Sequence, residues 1–436
     1  MHLQGRSRLK RTEKIVLVSG LSIRLALAPI TGHIYDLALF AISQRLYYGQ
    51  GIIDLKYFPT LPVVYYLQLP FYALYVLLLR FGLTDIQQLY RTTLMVEGVF
   101  LKLPFILSDI GGYFAIRAIT KKTTSAMLYF LNPLIIYLSS VWGTYDTAML
   151  FALLLGLYFF QRKEKVNASV ALVIAGTIKL FGFAPYALTL LESLIKRRFI
   201  PLMSSLLVGL AAILVVFLPD LLFGSFRQIL ATSVFRFVGF GLVDLVVGVR
   251  NYNLVSLAVN GNAVVGYSLL SIPNYVGPLG LLAVLIGYFL EARNSSENFA
   301  VLVKWSLTSA VILTIFSISE PQWFSWVVPL GIVYGALTQR DGLEYFTYPF
   351  GIATTFVTMI NRQGVGYMLG TATRVLPTLE FIPNGLRIYA ITMLSLFGIL
   401  LAYTFWKPVR FKLEILIAVL LIYLQAYFWF GIVKIV

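Results

Sequence analysis

Residues 199–219 read FIPLMSSLLVGLAAILVVFLP, a run without one charged side chain, closed off by Arg198 before it and Asp220 after it. Wound as an α-helix at 1.5 Å per residue, it would cover about 30 Å, the thickness of a bilayer's hydrocarbon core. Comparable apolar runs fall near 15–30, 60–80, 93–119, 124–141, 145–160, 166–178, 182–195, 276–292, 299–318, 322–338, 346–360, 386–406 and 412–433. Of the 436 residues 59% are hydrophobic and only 12% are charged. A soluble chain is about one-quarter charged. The expectation is an all-α fold, a polytopic transmembrane helical bundle of about 11–14 helices forming a single transmembrane domain over 1–436.

Charge sets the expected orientation. Arg6, Arg8, Lys10, Arg11 and Lys14 precede the first apolar run against a single acid, Glu13. Basic segments stay cytoplasmic, and no small-residue cleavage site follows, so 15–30 reads as a retained first helix. Arg80 and Arg91, Lys121-Lys122, Arg162 to Lys165, Lys196 to Arg198, Arg340, and Lys407 to Lys412 then mark the same side. The net charge of +16 is loop charge lying against anionic headgroups, and no nucleic-acid partner is expected. Parity fails in the first half, because a single crossing at 93–119 would put Lys121-Lys122 outside. Helices broken around Ser108–Gly112 and at Lys179–Gly182 would restore it, such breaks being tolerated where they line protein or water.

Two stretches are too polar to span. Residues 31–58 form a first outer loop, in which 36–48 sets Leu39, Phe40, Ile42 and Leu46 against Gln44 and Arg45, an amphipathic interfacial helix. Residues 220–275 form a second, with Arg227, Arg236 and Arg250. Three acids share that outer side: Asp36 in His33-Ile34-Tyr35-Asp36, Asp146 in Trp142-Gly143-Thr144-Tyr145-Asp146, and Glu320 in Ser319-Glu320-Pro321-Gln322-Trp323. Ionisable groups at membrane depth mark functional sites by default. Each acid also stands where a carboxylate could cap a helix, and Pro321 suits a first helical turn.

Lys179 lies in an apolar stretch, placed to meet a phosphate oxyanion, to snorkel or to pair with Asp109. Lys102 stands five residues from Glu97, a poor helical pair. The three loop arginines are phosphate clamps or a solvated face. Tyr35, Trp142, Tyr145, Trp323 and Trp326 lie near the acids, as a floor for a sugar ring or as interfacial anchors. The chain has no cysteine and two histidines, His2 and His33. That excludes a disulfide framework, a thiol nucleophile and a Cys- or His-rich metal centre.

In their order these segments resemble the GT-C superfamily of membrane glycosyltransferases, especially its mannosyltransferase-like branches, from about residue 30 to 330. The resemblance is carried by His33 and Asp36 ahead of Tyr57-Phe58-Pro59-Thr60-Leu61-Pro62, by Lys102-Leu103-Pro104 leading to Asp109, and by Asn132-Pro133 leading to Asp146. Lys179 with Phe183 and Pro185, and the late run from Glu320-Pro321 to Pro329, complete it. It implies a GT-C-type bundle with a catalytic core over about 15–338 and added helices over 346–436. The implied activity moves a sugar, mannose or another hexose, from a polyprenyl- or dolichyl-phosphate donor to a lipid-linked or protein-linked glycan. Transfer would proceed with inversion on the extracytoplasmic face.

On that resemblance Asp36 is the catalytic base, Asp146 and Glu320 orient hydroxyls, and Lys179 steadies the leaving phosphate. His33, Tyr35, Trp142, Tyr145, Trp323, Arg227 and Arg236 complete the implied substrate contacts. Relatives often carry a pair of acids in the first loop, whereas here no second carboxylate follows Asp36 until Asp54. No metal and no cofactor are expected, since monophosphate donors need none in that superfamily's usual chemistry. The implied location is the cell membrane of a prokaryote or the endoplasmic reticulum membrane of a eukaryote. The alternative is a transporter or flippase of lipid-linked sugars. It predicts pseudo-symmetric halves with matching interrupted helices, while both expected interruptions lie in the first half.

Overall fold

The computed structural model describes residues 10–51, 62–81, 94–222, 276–295, 298–316, 321–361 and 385–405, and every regular element among them is helical. In chain order these are α1 (Arg11–Leu27), α2 (Ile34–Gln50), α3 (Pro62–Arg80), α4 (Leu94–Thr120), α5 (Thr123–Phe130) and α6 (Pro133–Ile136). The last runs on into a π-helical stretch, Tyr137–Trp142. Then come α7 (Asp146–Gln161), α8 (Lys165–Ile178), α9 (Phe183–Ile195), α10 (Phe199–Leu222), α11 (Val276–Asn294) and α12 (Asn298–Phe316). A 3-10 turn, Pro321–Trp326, leads into α13 (Val327–Leu337), followed by α14 (Asp341–Asn361) and α15 (Gly385–Phe405). By length and composition α3, α4 and α10 can each cross a membrane, and α5 with the segment Pro133–Trp142, bent by 48°, would be a fourth if the bent pair is one span.

The core forms where helices have no polar face left to turn outward. Every residue from Val327 to Ala336 in α13 is buried, as are Tyr137 to Trp142 and most of α7. The outer surface is the reverse of a soluble protein's. On α10, Ile200 is 82% exposed, Val215 68% and Leu207 66%. Apolar surface on that scale marks a face that contacts lipid or protein.

Side-chain pairs fix the direction of each helix. Arg24 meets Asp109 and Arg117 meets Glu13, so α1 and α4 run antiparallel. Gln68 and Tyr72 of α3 reach back along α4 to Leu101 and Glu97, antiparallel again. Gln44 and Tyr48 of α2 bond the Tyr65 and Leu69 carbonyls, so α2 and α3 run in the same direction. Arg80, at the end of α3, therefore leaves the bundle at the end opposite Glu13 and Arg117, not beside the other basic clusters as the sequence suggested. With α3 in this direction the expected parity needs no broken α4. The helix is continuous over 27 residues, and its expected break at Ser108–Gly112 is absent. Gly111 and Gly112 serve packing: a Cβ at Gly112 would lie 2.6 Å from the ring of Tyr129. The expected break at Lys179–Gly182 is present as a 3-10 turn between α8 and α9.

The amphipathic reading of 36–48 is corrected as well. Gln44 is fully buried and Ile42 is 44% exposed, so the polar side chain faces the bundle, where its Nε2 donates to the Tyr65 carbonyl. The segments 220–275 and 412–433 lie largely or wholly outside the described residues.

Candidate functional site

Asp36, Trp142, Asp146, Lys179 and Trp326 come together at the helix ends remote from Glu13 and Arg117. The sequence builds this end from interrupted helices. Asn132 caps α6 through a 3.1 Å bond from the Leu134 amide, with Pro133 at the first helical position. The wider π turn that follows stops at Gly143, whose φ of 81° favours glycine. The Leu138 carbonyl accepts the amides of both Gly143 and Thr144. A single extra residue per turn is how π segments re-aim side chains, and the one aimed here is Trp142.

Trp142 Nε1–H donates to Asp36 Oδ2 at 2.7 Å, its ring stacks on His33 with centroids 4.9 Å apart, and its carbonyl accepts the His33 amide at 3.0 Å. His33 Nδ1 lies 3.3 Å from the Asp36 amide and 3.2 Å from Asp36 Oδ2. One nitrogen cannot serve both. Unprotonated, it caps α2; protonated, it bonds the carboxylate. The Asp36 side chain is 21% exposed, and among the described residues Oδ1 makes no bond.

Beneath this triad Lys102 is completely buried with its three N–H donors spent on the carbonyls of Ala28 (2.9 Å), Thr31 (2.5 Å) and Ser140 (2.8 Å). It ties the exit of α1, which carries His33, to the π segment, which carries Trp142. Gly143 is held to glycine from this side too, since a Cβ there would lie 2.9 Å from Lys102 Cε.

The second cluster centres on Asp146, whose side chain is fully buried. Lys179 Nζ donates to Oδ1 at 2.8 Å, Trp326 Nε1–H to the same oxygen at 3.1 Å, and Thr144 Oγ1 to Oδ2 at 3.0 Å. Thr144 Oγ1 also lies 2.9 Å from Gln322 Oε1. A hydroxyl has one proton, so with Asp146 taking it the Gln322 amide is better turned to offer its NH₂ to that oxygen. Lys179 sits 5.4 to 5.6 Å above the rings of Tyr145, Trp326 and Trp323, in cation–π range. Those walls are themselves stacked, Phe181 on Trp326 at 4.6 Å and Trp323 on Trp326 at 5.1 Å.

No family model matches the chain, and no curated protein matches it. Of the residues singled out in the sequence, the structure joins Asp36, His33 and Trp142 in one group and Tyr145, Asp146, Lys179 and Trp323 in another. The five residues from Trp142 to Asp146 link them. Glu320, Arg227 and Arg236 lie outside the described residues, as does the side chain of Tyr35. Lys179 pairs with Asp146 rather than Asp109, which binds Arg24 instead. Glu97 binds Arg45 and Tyr72, not Lys102. The sequence reading missed Thr144, Gln322 and Phe181 as members, and Lys102 as the clasp. Thr144 and Gln322 were each within two residues of a named acid, which was the available signal. Three carbonyls converging on Lys102 leave no trace in residue types. Among the described residues no cluster of His, Asp and Glu could hold a metal ion.

Proposed function

We propose that this chain is a membrane glycosyltransferase of GT-C type. It would move a hexose such as mannose from a polyprenyl- or dolichyl-phosphate donor to a lipid-linked or protein-linked glycan on the extracytoplasmic face. The observation that carries this reading is Asp36, a carboxylate held through one oxygen by Trp142 Nε1–H with no bond on the other among the described residues, next to the Asp146–Lys179 cluster. An acceptor hydroxyl gives its proton to Asp36 Oδ1 as its oxygen bonds the anomeric carbon. The bond from that carbon to the phosphate oxygen breaks on the opposite face, and the configuration inverts. General-base help of this kind is worth about 10²–10⁴-fold. Charge grows on the departing phosphate, where a fixed ammonium stabilises the transition state more than the ground state.

Helix length supports a lipid-borne donor. The 16 residues of α7 lift the site only about 24 Å above the basic end of the bundle, short of the roughly 30 Å hydrocarbon core. A phosphate anchored to a prenyl chain reaches such a recess from the outer leaflet. The site would lie in the outer half of a cell membrane, or toward the lumen of an endoplasmic reticulum.

Purified protein in detergent, given polyprenyl-phosphate-mannose and crude lipid-linked acceptors, tests the reading against Asp36→Asn. Transfer by the wild type and its loss in a folded, donor-binding variant is the expected result. Equal transfer by both would remove Asp36 from the mechanism. Absence of transfer by either would sink the enzyme and turn attention to lipid flux in liposomes.

A further inference from the structure

Trp323 was expected to offer a ring face to a sugar, yet one face of its ring is already covered by Trp326. Its indole N–H is a second feature. That nitrogen is buried and makes no hydrogen bond among the described residues. Buried donors in folded proteins are nearly always paired, with protein, water or ligand. Lys179 is in a similar position: its ammonium has three donors, one engaged by Asp146, and it lies 5.6 Å from the Trp323 ring. The Asp146 charge beside it is compensated, with Lys179 and Trp326 on Oδ1 and Thr144 on Oδ2.

Indole and ammonium can only donate. Their natural partner is a group of several oxygens that only accept, and a hydroxyl-bearing sugar is not such a group. Asp36 Oδ1 has the opposite character, accepting only, and suits a hydroxyl. We infer that Trp323 Nε1–H and the Lys179 ammonium jointly bind the oxygens of a phosphoryl group carried on a prenyl lipid. This inference rests on the transferase reading, and it orients the reaction: phosphate at the Trp323 end, acceptor hydroxyl at the Asp36 end. It also makes Trp323 a hydrogen-bond donor to the ligand instead of a stacking floor.

Binding without transfer tests it. Trp323→Phe keeps an aromatic ring against Trp326 and removes the N–H with the five-membered part of the indole. The probes are a polyprenyl monophosphate, the matching uncharged polyprenol and inorganic phosphate, titrated into detergent-solubilised protein. A hydrogen bond to a charged group makes the expected loss of monophosphate affinity about tenfold or more, with polyprenol binding unchanged. A matching loss for inorganic phosphate assigns recognition to the headgroup; a loss confined to the lipid monophosphate assigns it to headgroup and tail together. Equal monophosphate binding by variant and wild type, or parallel loss of monophosphate and polyprenol, would overturn the inference.

A second measurement uses the wild type alone. Of the indole N–H resonances of its six tryptophans, one should shift on adding the monophosphate and none on adding the polyprenol; no shift overturns the inference. Because no readout uses sugar transfer, phosphate binding with failed transfer would refute the enzyme and leave this site standing.

Discussion

At the level of single residues, Asp146 and Lys179 are bound to each other before any ligand arrives. A carboxylate buried on three donors is secure only while all of them remain. Asp146→Asn leaves the Lys179 ammonium, 11% exposed, without its anion, and breaking such a pair costs about 3–5 kcal/mol. Asp146→Asn with Lys179→Met removes both charges, so thermal melts should show the double variant losing less than the sum of the singles, as coupled neighbours do. Strict additivity would mean the two do not interact. Trp142 calls for a different expectation, because it contacts the proposed base but has no acid–base chemistry of its own. Trp142→Phe should lower kcat about tenfold, the worth of one hydrogen bond to a charged group, with the fold intact. A fall as deep as that of Asp36→Asn would instead place the indole on the substrate.

Whole helices show which parts of the sequence could be read and which could not. Apolar runs announce helices because an apolar solvent leaves the backbone nothing else to bond with, and the observed α8, α9 and α15 follow the expected ranges closely. The turn at Lys179–Gly182 was legible because a cation and a glycine interrupt an apolar stretch. Gly111-Gly112 gave a similar signal with a different cause, since a glycine that breaks a helix and one that admits a neighbour look alike until the neighbour is known. The pairs Arg24–Asp109 and Arg45–Glu97 span 85 and 52 residues, beyond any local pattern. Asp36 and Asp146 were legible as acids at helix starts, while their partners Trp142 and Lys179 depended on the π turn and the 3-10 turn. The two roles of glycine can be separated by experiment. Alanine favours a helix over glycine by up to about 1 kcal/mol, so Gly49→Ala, with nothing within 4 Å of the new Cβ, should raise the melting temperature. Gly112→Ala meets the fully buried ring of Tyr129 and should lower it, at an overpacking cost of about 1–3 kcal/mol. A rise in both would return Gly112 to being a poor helix former and nothing more.

Across the whole molecule, charge separates by end. Glu13 with Arg117, Lys122 with Glu344, Lys165 with Glu192 and Glu291 with Lys304 gather at one end, and Asp36 and Asp146 with Lys179 at the other. An unbroken α4 is compatible with this only because α3 runs alongside α2 and α4 brings the chain back. Arg80 is then a solvent-exposed basic helix terminus on the Asp36 side, against the tendency that places arginines inside. That tendency is a bias over short loops, and it yields where side-chain pairs such as Tyr72–Glu97 fix a helix in the opposite sense. The chain has no cysteine, so single replacements report position without background. Arg80→Cys and Lys121→Cys, both at exposed positions, should react with a membrane-impermeant maleimide from opposite faces of sealed vesicles, with Lys121→Cys labelled on the side of the amino terminus. Labelling from the same face would mean that α3 crosses toward the basic end. Parity would then require the break in α4 that Gly111 and Gly112 do not supply, and the shared end that brings Asp36 to Asp146 would be lost with it.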